Sequence, residues 1–185
     1  MKWNRSKALG IASIGIGLIS GLLRPQFLAE YAHAELVASL QHFAEGFYAQ
    51  NMGISAFFAA AFRYGRTLLL IWACAVLPKA HYAALLVLYM RAMALGFSAA
   101  MMVTALGGRG FGAAMALYGL QNLIIMPIYA YTVYFIGQNR LALAFRPPEN
   151  PLLVAKVAAM GLAAVAVVSI IEIYISPILF IMIWR

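Results

Sequence analysis

The chain has 185 residues, of which 65% are hydrophobic and 10% are charged, and its mean hydropathy is +0.90. Soluble domains are about 45–50% apolar and about 25% charged, so the composition excludes a soluble globular domain, a disordered chain and a disulfide scaffold. Thirteen Lys and Arg against five Glu give a net charge of +8. Because cations flank membrane spans on the cytoplasmic side, this excess indicates a membrane protein rather than a nucleic-acid binder. The single Cys74 lies in an apolar run and is interpreted as a small buried hydrophobe.

The first apolar stretch, residues 8–23, follows a basic start and predicts a retained membrane span. At 1.5 Å per residue it is about 24 Å long, so its flanks must help to cross about 30 Å of hydrocarbon. The alternative is a signal peptide cleaved after Ala32-His33-Ala34. Arg24 and Pro25 end the apolar run nine residues before that site, which favours retention.

Two runs of small residues at four-residue spacing predict close helix packing, because small residues let helix backbones approach in lipid. Since one small bundle has two such runs, one is expected to stay free, which predicts a homodimer. The runs are Ser13, Gly17 and Gly21, and then Ala92, Gly96 and Ala100.

Residues 26–50 predict an extracytoplasmic amphipathic helix that lies on the membrane surface or on the other spans. Apolar residues recur there at helical spacing, at Leu36, Leu40, Phe43 and Phe47. Two carboxylate–imidazole pairs in this segment have a spacing that suits metal ligands. A metal site needs three or four convergent ligands, so no metal or cofactor is predicted. The pairs are Glu30 with His33 and His42 with Glu45.

Residues 53–78 are apolar apart from Arg63 and Arg66. A single helix would place both arginines near its middle, where each costs roughly 2.5–3.5 kcal/mol on insertion scales. We therefore favour a span over 63–78, with 53–62 at the interface or re-entrant.

Three further spans are predicted, and Gly107 to Gly110 is read as a tight turn between two of them. With the N terminus inside, seven cations lie on the cytoplasmic side and three outside, which favours five spans with the C terminus outside the cell membrane. The fold class is therefore an all-α polytopic membrane domain. The further spans cover residues 82–106, 111–136 and 152–177.

The deepest polar residues are candidates for an intramembrane cluster. Ionisable residues inside a membrane are rare and usually paired, so Arg91 is expected to pair with Glu172. The alternative is a ligand or ion pathway, for which Arg63 and Arg66 would supply further positive charge. Pro127 and Pro177 are predicted helix breaks. The predicted cluster is Arg91, Gln121, Asn122 and Glu172.

Several of these segments, taken in order, resemble the stage II sporulation protein M family. The similarity covers nearly the whole chain. A polar residue expected around Ala60 is missing here, and Lys is known at the position that matches Arg91. The matching segments are Phe57-Phe58 to Leu77-Pro78 with Trp72, Arg91-x-x-x-x-Gly96-Phe97, Gln121-Asn122 followed by Pro127, and Glu172-x-Tyr174-x-Ser176-Pro177.

The resemblance implies a five-span, non-enzymatic membrane scaffold of an engulfment complex. Its partners would be stage II sporulation proteins D and P, which degrade peptidoglycan. The alternative is a small transporter or channel with the deep polar residues at its site. An intramembrane enzyme is discounted because no nucleophile or metal set is evident in the sequence.

Overall fold

The computed structural model describes residues 5–27, 30–46, 53–76, 80–138 and 150–184. These residues form an all-α bundle without a strand. Helix α1 covers Arg5–Leu23 and continues into a 3₁₀ turn at Arg24–Phe27. Helices α2, α3 and α4 cover Glu30–Gly46, Ile54–Cys74 and Ala80–Leu106.

Two long helices follow, and each contains one π-helical turn. The first consists of α5 (Gly108–Ala114), a π turn at Met115–Gly119 and α6 (Leu120–Gln138). The second consists of α7 (Pro151–Ile170), a π turn at Ile171–Ile175 and α8 (Ser176–Trp184). Asn150 caps α7, because its side-chain oxygen accepts a hydrogen bond from the Leu153 amide.

Five helices in the described part of the chain are long and apolar enough to cross a membrane. They cover Ala8–Phe27, Ile54–Cys74, His81–Leu106, Gly108–Gln138 and Pro151–Ile183. Helix α2 packs mainly against α4. Its Tyr31 is 78% exposed, so part of its apolar surface faces away from the bundle.

The re-entrant version of residues 53–62 is wrong, because α3 is one continuous helix through Arg63 and Arg66. The interfacial version stays a prediction. A continuous helix keeps every backbone group hydrogen-bonded, whereas an interruption would leave some unpaired in the membrane. The predicted end at Pro78 lies outside the described residues.

The predicted helix breaks are also wrong. Pro127 lies inside α6, and Pro177 lies in the first turn of α8, where the helix continues to Trp184. Both prolines therefore lie inside continuous helices, as membrane helices tolerate when neighbouring groups satisfy the freed carbonyl. The interruptions of regular geometry are instead the two π turns, one before each proline.

The two runs of small residues pack against each other inside the monomer. A Cβ added at Gly17 would lie 2.6 Å from the Tyr89 carbonyl oxygen and 2.9 Å from the Ala92 Cβ. One added at Gly96 would meet the Leu18 carbonyl of α1. Each run packs against the other, so neither is left free, and the reason for predicting a homodimer no longer holds.

The core lies among α3, α4, α6 and α7. Tyr129 is fully buried, and its hydroxyl donates a hydrogen bond to the Tyr64 carbonyl oxygen at 2.7 Å. This bond joins α6 to α3 beside the polar residues described below. Other buried core residues are Leu68, Ile71, Ala84, Leu88, Ile125, Val133, Val157 and Val168.

Candidate functional site: a polar cavity within the bundle

A polar cavity of about 180 Å³ lies between α3, α4 and the two helices with π turns. Its depth follows from Arg91, which lies about 17 Å from the start of α4 and about 23 Å from its end at 1.5 Å per residue. A cavity of this volume holds several waters or one small polyatomic group. Its polar lining residues are Arg63, Tyr64, Arg91, Ser98, Tyr118, Asn122 and Glu172.

Glu172 pairs with Arg63, not with Arg91 as predicted. The Arg63 Nη1 and Glu172 Oε1 atoms are 2.6 Å apart. The Arg63 side chain is 53% exposed and that of Glu172 is 19% exposed, so the pair lies at the edge of the bundle. Arg63 can reach Glu172 because α3 is continuous and places Arg63 at the same height in the bundle as the carboxylate.

Arg91 lies over the ring of Tyr64, with its guanidinium carbon 5.4 Å from the ring centroid. This distance is within the range of a cation–π contact, which the ring quadrupole makes favourable. The Arg91 Nε atom is buried and has no hydrogen-bond partner. Arg91 therefore keeps a donor available beside the cavity.

The amides of Gln121 and Asn122 have different roles, because consecutive helical residues point about 100° apart. Gln121 is fully buried, and its Nε2 donates to the Ser176 Oγ at 2.6 Å, which joins α6 to α8. Asn122 lines the cavity, and its Nδ2 donates to the Tyr118 carbonyl oxygen at 2.7 Å. Only Asn122 thus belongs to the cavity lining.

Two polar atoms of cavity-lining residues are buried without a protein partner, the donor Arg91 Nε and the acceptor Asn122 Oδ1. The Glu172 carboxylate, by contrast, interacts with both Arg63 and the Tyr64 hydroxyl. Leaving such groups unpaired costs roughly 1–3 kcal/mol each. The cavity therefore suits water or a ligand that both accepts and donates hydrogen bonds.

Both π turns contribute to this cavity, since Tyr118 belongs to the first and Glu172 to the second. π turns inside α-helices are often found at functional sites. Sequence reasoning missed Tyr64, Ser98 and Tyr118 as lining residues. No pattern of hydrophobicity predicts a π turn, so no signal placed Tyr118 beside Glu172.

The remaining charged and metal candidates lie elsewhere. Of the two arginines predicted as a basic pair, only Arg63 lines the cavity, because Arg66 is exposed elsewhere on α3. Among the described residues, no group of three His, Cys or Glu side chains could hold a metal ion. The side chain of Glu45, one of the candidate ligands, lies outside the described ones.

Comparison with known proteins finds no matching family model, no matching curated protein and no matching solved structure.

Proposed function

We propose that the chain is a non-enzymatic membrane scaffold that anchors peptidoglycan hydrolases at the cell membrane. The resemblance to the stage II sporulation protein M family implies this role, with stage II sporulation proteins D and P as partners in engulfment. A bundle with five apolar helices is compatible with an integral anchor of this kind.

One observation carries the proposal: the motifs of the resemblance, far apart in sequence, meet inside the bundle. Gln121 of the Gln-Asn motif donates a hydrogen bond to Ser176 of the closing motif. Arg91 of a third motif lines the same cavity as Asn122 and Glu172. This convergence supports reading the motifs as one unit.

The proposal is tested by photo-crosslinking in cells that carry the chain. A crosslinking amino acid is placed singly on three outward faces, at Phe58 of α3, Leu86 of α4 and Leu162 of α7. Their side chains are 64%, 60% and 60% exposed. We expect at least one face to capture a D-type or P-type hydrolase. If no face captures a peptidoglycan hydrolase, the scaffold proposal is wrong.

A matched pair of variants links the capture to the convergent motifs. Gln121→Leu removes the bond to Ser176 and should lower the capture while the chain still accumulates in the membrane. Leu123→Ala is the control, because Leu123 lies on the same helix and is 67% exposed. If both variants capture the hydrolase equally, the bond between the motifs does not contribute to hydrolase binding.

A small transporter or channel is the second candidate function, and the polar cavity favours it. Intramembrane polar residues commonly mark substrate or ion pathways. In a Cys74→Ala background, Ser98→Cys places a thiol at the cavity, and Ser169→Cys is the control because Ser169 is fully buried elsewhere. An aqueous pathway predicts that a membrane-impermeant thiol reagent labels the first variant only. Absence of labelling from both sides would refute the pathway.

A further inference from the structure

Helix α3 presents positive charge on the outside of the bundle. Arg63 and Arg66 are both exposed there, about one helical turn apart. The side chains around them are apolar and also face outwards, since Phe62 is 68% exposed and Leu69 is 63% exposed. In a membrane protein, such a surface meets either hydrocarbon or another helix.

The position of Arg66 is deep in the bundle. At 1.5 Å per residue it lies about 18 Å from the start of α3 at Ile54 and about 12 Å from its end at Cys74. The neighbouring Tyr64 contacts Arg91, which is about 17 Å from the start of α4. Because the hydrocarbon layer is about 30 Å thick, Arg66 lies near its middle, well away from the lipid head groups.

The two arginines differ in their partners. Arg63 forms the ion pair with Glu172, whereas Arg66 has no ion-pair or hydrogen-bond partner among the described residues. Ionisable residues inside a membrane are rare, costly and almost always paired. The exposed guanidinium of Arg66 therefore indicates a partner from outside the described bundle.

A second copy of the chain does not suit this role. Among the described side chains of the five long apolar helices, the only carboxylate is that of Glu172, and it already pairs with Arg63. Two copies that met through α3 would also bring their exposed arginines together. The charge on this face is complementary to a different protein, one with an acidic residue in its membrane span.

Gly65 offers a place for close helix contact on the same side of α3. A Cβ added there would meet nothing within 4 Å, so no packing within the described bundle requires glycine. Glycine inside a helix lowers stability relative to alanine. On the outside of a membrane helix, however, a glycine lets the backbone of a second helix approach closely. Gly65 lies at helical spacing between Phe62 and Leu69, so it falls on the exposed face.

We propose that this face of α3, formed by Phe62, Gly65, Arg66 and Leu69, binds a transmembrane helix of another protein that carries a carboxylate near the middle of the membrane. The carboxylate pairs with Arg66, and the two backbones approach each other at Gly65. Apolar side chains of the partner cover Phe62 and Leu69. This inference rests on the charge and packing of α3 and does not depend on the scaffold proposal.

The test uses the full chain in phosphatidylcholine vesicles, with synthetic leucine–alanine helices of about 20 residues as probes. One probe has Glu at its centre and the matched probe has Gln there. Binding is followed by energy transfer from the tryptophans of the chain to a dye on the probe. We expect the Glu probe to bind about tenfold more tightly, which equals about 1.4 kcal/mol and lies in the range of polar contacts between membrane helices. Equal binding of the two probes would overturn the proposal.

Substitution of Arg66 separates a partner site from a role inside the bundle. Arg66→Leu should abolish the preference for the Glu probe. In the chain alone it should raise resistance to denaturing detergent, because it removes an unpaired charge from the membrane. Lys156→Leu is the control for charge, since Lys156 is exposed near the start of α7, and it should keep the preference. If Arg66→Leu keeps the preference, or destabilises the chain alone, the proposal is wrong.

Substitution of Gly65 tests the close approach. Gly65→Leu should weaken the Glu probe about tenfold while the chain itself stays folded, because an added side chain has room there. Gly15→Leu is the matched control, since a Cβ added at Gly15 of α1 also meets nothing within 4 Å. If the two glycine variants bind the Glu probe equally well, the partner helix does not dock on this face.

Discussion

The close approach of α1 to α4 predicts that alanine destabilises the bundle at Gly21 but not at Gly15. A Cβ added at Gly21 would meet the Met93 carbonyl and lie 2.7 Å from the Phe97 backbone nitrogen. Because backbone atoms cannot rotate aside as a side chain can, the two helices must separate. At Gly15 nothing lies within 4 Å of an added Cβ.

The magnitude follows from two opposing contributions to the free energy of unfolding. Overpacking costs roughly 1–3 kcal/mol, whereas replacing a helical glycine by alanine gains about 0.5–1 kcal/mol. Gly21→Ala should therefore lower the stability by up to about 2.5 kcal/mol, and Gly15→Ala should raise it by up to about 1 kcal/mol. The helix-propensity gain is common to both variants, so their difference, roughly 1–3 kcal/mol, isolates the packing cost.

Both variants are compared with the native chain by unfolding in mixed micelles with increasing sodium dodecyl sulfate, followed by circular dichroism. Gly10→Ala is a second control, since an added Cβ there also meets nothing within 4 Å. If Gly21→Ala unfolds at the same detergent fraction as the two controls, α1 does not contact α4 as described.

Three further predictions concern the ion pair, the topology and the oligomeric state. Arg63→Met and Glu172→Gln should show a coupling of roughly 1–3 kcal/mol in a double-mutant cycle, between the values for exposed and buried pairs, because the two side chains are 53% and 19% exposed. The coupling between Arg91 and Glu172 should be weaker. A coupling below about 0.5 kcal/mol between Arg63 and Glu172 would contradict the ion pair between them. Alkaline phosphatase fused after Arg185 should be active, whereas activity of a cytoplasmic reporter there would exclude the five-span orientation. Gly17→Leu should leave the detergent-solubilised mass of the chain unchanged, and the loss of a native dimer would show that this glycine faces a second copy.

Much of the architecture could be predicted from the sequence. Length and hydropathy along the chain predicted an all-α membrane protein with about five spans, and five described helices meet those criteria. The re-entrant version of residues 53–62 was wrong because it assigned a cost to each arginine separately. In the bundle that cost is reduced, since Arg63 has a carboxylate partner 109 residues away.

The site was predictable only in part. Arg91, Asn122 and Glu172, which the sequence singled out, line one cavity. Their hydrogen-bond and ion-pair partners were not predictable, because several polar side chains lie at similar heights along the helices and each has more than one possible partner. A difference of one helical residue turns a side chain by about 100°. Gln121 therefore bonds to Ser176 while its neighbour Asn122 faces the cavity.

The sequence by itself determined that the chain is a helical membrane protein and where its main helices lie, since hydrophobicity and helix length are properties of local segments. Only the tertiary structure decided which residues meet. The rotation of each helix about its axis and the two π turns set the distances between polar atoms, as Arg63, Tyr118 and Glu172 illustrate. Those distances depend on packing across the whole bundle, where glycine at a single position lets two backbones touch.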